Sequence, residues 1–480
     1  MINITPKNIE KKYTEIQELY LNDNKPWIIG FSGGKDSTTV LQLVYNAIKK
    51  LPLEKRRKNI YVVSSDTMLE NPVILSYLKK NMDMISSAAK SDNLPLYTKL
   101  VSPEIGDAFW TLLLGKGYPT PRQKFRWCTN RLKIKPIDKF IDSITEKYDE
   151  VIVVLGVRRE ESQTRKESIE KRTVKGKLLK VHATNKKAYV YAPIEDFNLD
   201  EVWFYLLNNT NPWGMNNSEL LSLYKSSKDA SECPIQQDKD APSCGNSRFG
   251  CWVCTVVKKD KSLTGFIENG FNELRPLLKF RNELAEMRDK IEYRQKWKID
   301  GSIYHISKDG NKKRGLGPFT LEARKQILKM LLSAEVEYNK ILQSGMKSDT
   351  IFSIQSDKYQ TLIDDNELIK IREHWLQNGD WEDSLPNILK EYRNTNVFDN
   401  YEYNPMFDEE ELEILESICD ENDTEFELVK QLLNVEMNNL GLNRRLLLFN
   451  EIEKILKQDW IHEEILYPDE ISEGEVGYEA

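Results

Sequence analysis

Residues 26–50 read PWIIGFSGGKDSTTVLQLVYNAIKK, and this stretch decides the fold. Pro26 to Ser32 is a short apolar run that closes on glycine and serine, the pattern of a buried strand. Ser32-Gly33-Gly34-Lys35-Asp36-Ser37 follows, and then Val40, Leu43, Val44, Ala47 and Ile48 recur at helical spacing. A strand, a glycine turn and a helix make an anion cradle. The glycines let backbone N–H groups approach phosphate oxygens, and the helix N-terminus adds its positive dipole. Lys35 supplies a full charge. A Gly-x4-Gly-Lys-Ser/Thr loop does not fit: three residues separate Gly30 from Gly34, and Asp36 stands where that loop needs a magnesium-binding hydroxyl.

Two more strands can be read outward from the loop. Asn59 to Asp66 (NIYVVSSD) is apolar and ends on a carboxylate suited to a ribose or adenine, with Thr67, Glu70, Asn71 and Pro72 behind it. Glu150 to Val157 (EVIVVLGV) runs into Arg158-Arg159-Glu160-Glu161-Ser162-Gln163-Thr164-Arg165, whose arginines suit bidentate phosphate contacts. Strands alternating with helices predict a parallel α/β sheet with the site at the C-terminal edge of the strands.

SGGKDS at 32–37, Asp66-Thr67, Gly156-x-Arg158-x-x-Glu161-Ser162-x-x-Arg165 and Pro193-Ile194-x-Asp196-x5-Val202-Trp203 together resemble the phosphoadenosine phosphosulfate (PAPS) reductase-like branch of the PP-loop ATP pyrophosphatases. Within that branch, Arg126-Trp127-Cys128-Thr129 and the cysteines at 233–254 are most similar to the DndC-type sulfurtransferases of DNA phosphorothioation. The resemblance implies a Rossmann-like adenine nucleotide alpha hydrolase fold and hydrolysis of ATP, with Mg2+, to AMP and pyrophosphate. It also implies a [4Fe-4S] cluster, a cysteine desulfurase as sulfur donor, DNA as substrate and further phosphorothioation proteins as partners. The ATP site it implies comprises Ser32, Gly33, Gly34, Lys35, Asp36, Ser37, Asp66, Gly156, Arg158 and Arg165. The same loop and cluster also serve thiolation of an RNA base or reduction of a sulfonucleotide, and a non-catalytic ATP-sensing scaffold is a third reading.

Cys233, Cys244, Cys251 and Cys254 follow a C-x10-C-x6-C-x2-C spacing around a turn-rich stretch. Four thiolates suit tetrahedral zinc or a four-iron cluster, and the resemblance favours the cluster. Cys128 stands apart. Residues 116–135 hold seven Lys and Arg and no acid, so nearby cations are expected to favour its thiolate and let it carry sulfur as a persulfide. Ligation of the cluster, or simple packing, is the alternative. Lys35 and Arg158 are expected to stabilise the charge that develops on phosphate.

Charge divides along the chain. Residues 1–350 carry 59 Lys and Arg against 43 Asp and Glu, whereas residues 351–480 carry 10 against 33. The basic stretches 116–135 and 165–187 are candidate DNA contacts, or solvated loops, and Arg281, Arg288 and Arg294 extend the series. The acidic segment reads as helical and is expected to dock a basic partner or to remain a solvated cap. Three units are predicted: a PP-loop domain over 1–215, a cysteine-rich segment over 216–325 and an acidic helical domain over 326–480. No apolar run approaches the ~18 residues of a membrane span, and the N-terminus lacks an apolar signal core. A cytoplasmic location is expected.

Overall fold

The computed structural model describes residues 5–123, 125–161, 178–182, 185–226, 250–298, 305–308, 311–344, 359–393, 397–398, 407, 409–439 and 446–456. Helix α1 (Pro6–Leu21) leads into β1 (Trp27–Gly30), α2 (Lys35–Lys49), β2 (Ile60–Ser65), α3 (Pro72–Ser91), β3 (Leu96–Val101), α4 (Lys135–Tyr148) and β4 (Val151–Val154). The short β5 (Lys180–Val181) and β6 (Ala188–Tyr191) complete a six-stranded sheet of order β3-β2-β1-β4-β6-β5. All pairings are parallel except β5 with β6. The architecture is the expected Rossmann-like α/β sheet with a helical C-terminal region.

Strand periodicity sorts the two faces. Ile29, Val62, Ile152 and Val154 pack with α1, α2 and α3 in the large core, while Ile28, Val63, Val151 and Val153 meet Ile141 and Ile144 of α4 on the other side. Neighbouring residues of one strand thus serve opposite layers, as the pleat requires. The first, second and fourth strands match the apolar runs of the sequence. β3 was not legible, because this edge strand buries its ends and leaves Tyr97 and Lys99 outside.

The strand order reverses between β1 and β4, and a parallel sheet opens a crevice at that switch point, beyond the carboxyl ends of the strands. The loop 31–34 leaves β1 there, and residues 155–158 leave β4 beside it.

The helices after residue 320 continue the same core. One contiguous apolar cluster runs from Tyr13 to Leu389. A π-helical turn at Thr111–Gly115 is the junction. The Trp110 indole N–H donates to the Leu362 carbonyl (2.9 Å), the Trp375 indole to the Leu114 carbonyl (2.6 Å) and Arg324 to the Gly115 carbonyl (2.7 Å). Behind them Arg393 forms a buried ion pair with Glu335. Residues 359–393 are therefore not a solvated cap. They fill a groove of the body with Leu368, Ile371 and Trp375, although their sequence is acidic. No helix among the described residues is long and apolar enough to cross a membrane.

Candidate active site

The loop is held by its own side chains. Gly33 has φ +71°, a left-handed conformation that glycine adopts without strain. The Ser37 hydroxyl folds back to the Gly34 carbonyl (3.0 Å), lies 3.1 Å from the Ser32 hydroxyl and accepts the Ser32 N–H at 3.2 Å. Gly34 caps α2 without a side-chain bond, so the cap residue itself covers none of the first-turn N–H groups. Gly156 has to be glycine for another reason: a Cβ there would lie 2.9 Å from the backbone carbonyl of Asp36. The β4 loop thus rests directly on the start of α2.

That contact brings Arg158 onto the loop. The Arg158 side chain is 5% exposed, and its Nε donates to Asp36 Oδ1 at 2.6 Å. Lys35 Nζ lies 3.1 Å from the other Asp36 oxygen. Asp36 therefore bridges the two expected phosphate-binding cations. Tyr224, 189 residues from the loop in sequence, closes it from the helix Asn217–Ser226. Its hydroxyl accepts the Lys35 backbone N–H at 3.3 Å, and Lys35 Nζ sits 5.3 Å from its ring centre. Nothing in the local sequence of Tyr224 announces this contact.

A second cluster forms one strand away. Asp66 follows β2 directly and accepts the Met68 N–H at 2.8 Å, and Met68 has φ +64°. The buried Thr67 hydroxyl donates to Glu70 (3.1 Å) and lies 3.4 Å from the Cys251 sulfur. Glu70 pairs with Cys251 as an isolated antiparallel bridge, and the Trp252 N–H donates to the Leu69 carbonyl at 3.0 Å. Cys254 follows Cys251 on one turn, with its N–H on the Cys251 carbonyl at 3.1 Å.

Cys128 joins this cluster. Burial pushes its thiol pKa up and the neighbouring Cys254 raises it further, against smaller contributions from Thr129 and Lys133. The expected cation-lowered thiol is corrected here, and the reason is tertiary. Four cations of 116–135 face carboxylates: Arg122 pairs with Asp289, Arg131 and Lys135 with Asp107, and Lys133 with Glu70 at 3.5 Å. Cys251 is pushed up to about 12 by burial and by Glu70, which Lys133 and Thr67 partly offset. Burial alone would lower the Lys133 ammonium, but Glu70, Cys251 and Cys128 outweigh it and the net shift is upward.

Helix Arg275–Met287 shapes the cysteine turn. Arg281 is 1% exposed and donates to the carbonyls of Cys254 (2.8 Å), Val257 and Lys258 (3.0 Å). Arg288 donates to the Thr255 carbonyl (3.0 Å), and the Thr255 hydroxyl donates to the Pro121 carbonyl (2.9 Å). Arg281 and Arg294 are interior braces rather than helix-surface cations. In the second basic stretch, Lys180 pairs with Glu195 and Lys187 with Asp149.

Cys233, Cys244, Ser162 and Arg165 lie outside the described residues. Among the described residues, no three Cys, His, Asp or Glu side chains stand at ligating distance of one point. The donor chemistry still fits an iron–sulfur cluster or zinc: two thiols share one turn, a third lies within electrostatic range, and a lysine offsets their charge.

Residues 26–257, which span the sheet, the loop and the cysteine turn, match the phosphoadenosine phosphosulfate reductase domain family. Over these residues the α/β body is similar to that domain family. An uncharacterized protein of Methanocaldococcus jannaschii is 27% identical over 282 residues, covering 59% of this chain; the chain spans 46% of that relative's length. A PAPS reductase from Candida auris, solved with phosphate, is 13% identical with a TM-score of 0.29, over 47% of this chain and 95% of the reductase. The U34-tRNA thiolase NcsA from Methanococcus maripaludis, solved with its [4Fe-4S] cluster, is 15% identical with a TM-score of 0.28, over 60% of this chain and 80% of the thiolase.

Proposed function

We propose that this PP-loop protein is an ATP-dependent sulfurtransferase that converts a DNA backbone phosphate to a phosphorothioate. The observation that carries the reading is the placement of Cys128, Cys251 and Cys254 at the tip of β2, the strand next to the one that carries the PP-loop. Sulfur chemistry and nucleotide chemistry then share one edge of the sheet.

ATP, with Mg2+, would lay its pyrophosphate on Ser32–Ser37. A non-bridging oxygen of the DNA phosphodiester attacks the α-phosphorus, and pyrophosphate leaves. Lys35 and Arg158 meet the charge that develops, and to do so they exchange Asp36 for phosphate oxygens. Persulfide sulfur from a cysteine desulfurase then attacks the activated DNA phosphorus, and AMP departs with the displaced oxygen. A thiol splits the remaining S–S bond and leaves sulfur on phosphorus. The raised thiol of Cys128, beside Cys254, supports a place for it in a shared thiol centre over a freestanding nucleophile. A cluster or zinc bound by the cysteines, Cys233 and Cys244 included, would supply a Lewis-acidic centre that holds sulfur.

The acidic segment supports partner docking in its last part. Helix Glu409–Glu421 leaves Ile414 and Ile418 about half exposed among carboxylates, a surface suited to a basic protein such as another phosphorothioation component.

The test is anaerobic purification, pyrophosphate release from ATP with and without DNA, and mass spectrometry of digested DNA and RNA from cells with and without the gene. Release that Lys35→Ala abolishes, with phosphorothioate dinucleotides in the DNA, is expected. Sulfur on RNA bases and never on the DNA backbone would overturn the substrate, and absence of pyrophosphate release with any nucleic acid or partner would overturn the reaction.

A further inference from the structure

The segment Asp66–Glu70 touches both halves of the site within five residues. At one end Asp66 follows β2 directly and fixes the turn through the Met68 N–H (2.8 Å), with Met68 held at φ +64°. At the other end the segment is tied to the cysteine turn by a backbone pairing and by a side-chain contact. The Leu69 carbonyl takes the Trp252 N–H (3.0 Å), Glu70 bridges to Cys251, and the Thr67 hydroxyl lies between Glu70 (3.1 Å) and the Cys251 sulfur (3.4 Å). Neither side can yield easily. Trp252 is buried between Trp110 (6.1 Å) and Phe280 (5.7 Å), and Arg281 holds the Cys254 carbonyl. Thr67 itself is fully buried.

We propose that Thr67 is a positioning residue that couples occupancy of the thiol centre to nucleotide binding. The proposal rests on the functional reading above, in which Asp66 faces the nucleotide and Cys251 belongs to the metal-binding set. A filled centre fixes the Cys251 sulfur. The bound thiolate can only accept, so the Thr67 hydroxyl turns its proton from Glu70 to the Cys251 sulfur, and the backbone turn that presents Asp66 is then ordered before ATP arrives. Pre-ordering a binding turn removes part of the ordering cost from association, so the filled protein binds ATP more tightly. The coupling is reciprocal, so ATP stabilises the filled centre by the same factor.

The experiment compares the full-length protein reconstituted anaerobically with iron and sulfide against the same protein stripped by a chelator. ATP affinity is measured by calorimetry, and the visible circular dichroism of the filled protein is followed as ATP is added. Wild type is expected to bind ATP about fivefold or more tightly when filled, the lower end of ordinary site–site coupling. ATP is expected to change the cluster spectrum. Thr67→Val keeps the shape and removes the hydroxyl, and is expected to bring the ratio close to one and to silence the spectral response. Thr67→Ser restores the hydroxyl and is expected to recover both. Equal ATP affinity in the filled and stripped wild type overturns the coupling while leaving the functional reading intact. Coupling that survives in Thr67→Val overturns the role of Thr67. A protein that binds ATP in neither state, or that holds neither iron nor zinc, overturns the functional reading and the coupling with it. The wild-type ratio decides the coupling even if Thr67→Val does not fold.

Discussion

Replacing Tyr224 with Phe removes one oxygen from the mouth of the PP-loop and leaves the rest of the contact in place. The ring remains edge-on to Trp203, with centres 5.3 Å apart at 88°, and Lys35 Nζ keeps its position 5.3 Å from the ring. The bond from the Lys35 N–H to the hydroxyl, 3.3 Å long, is lost. That N–H belongs to the first turn of α2, where an anionic oxygen is the natural acceptor. In the wild type, a pyrophosphate oxygen has to displace the phenol from it. A neutral hydrogen bond of this kind contributes about 0.5–1.5 kcal/mol net, and about 1.4 kcal/mol is a factor of ten in affinity. Tyr224→Phe should therefore bind ATP and pyrophosphate about two- to tenfold more tightly, measured by calorimetry at fixed ionic strength. AMP, which lacks the pyrophosphate, should gain nothing. Unchanged pyrophosphate affinity would refute the idea that phosphate takes the Lys35 N–H. Weaker binding would show that the hydroxyl is a ligand and not a competitor.

Gly156→Ala should weaken ATP binding and cost about 1–3 kcal/mol of stability, seen together in calorimetry and thermal unfolding, because its methyl group would push the β4 loop off the Asp36 carbonyl. Arg281→Lys should cut iron retention after reconstitution while circular dichroism stays native, since lysine lacks the planar fork whose three nitrogens each reach a different carbonyl of the cysteine turn. Removal of residues 394–480 should leave ATP affinity unchanged, whereas removal of 351–480 strips Leu368, Ile371 and Trp375 from the core and should abolish soluble expression. Glu367, at the third position of the helix Asp365–Gln377, is buried against Trp110, and burial pushes its carboxyl up to about 7. Its folded pKa lies above its unfolded value of about 4.3, so its contribution is complete below that value and is lost as the pH rises through about 7. The loss falls between about pH 4 and 7, and Glu367→Gln should flatten the slope of unfolding stability over that range.

The sequence by itself determined the nucleotide loop. Its parts are contiguous, and each has a local signature: an apolar strand, glycines for the turn, a helix with its amide groups open. The same holds for β2 and β4, whose interior positions make unbroken apolar runs, and for the family that these motifs resemble. Local pattern was silent where a contact joins distant segments. It showed seven cations around Cys128 but not the carboxylates of Asp107, Glu70 and Asp289 that the fold sets against four of them. It showed Cys128 and the 251–254 turn but not that burial would bring them together and raise the Cys128 thiol. It marked residues 351–480 as acidic, yet acidic helices can still bury one face, and Leu368, Ile371 and Trp375 do so. Tyr224 on the loop, Asp36 between Lys35 and Arg158, and Thr67 on Cys251 were decided by the tertiary structure alone. Charge and thiol reactivity depend on burial and on partners that sheet order brings near, and one-dimensional spacing carries neither.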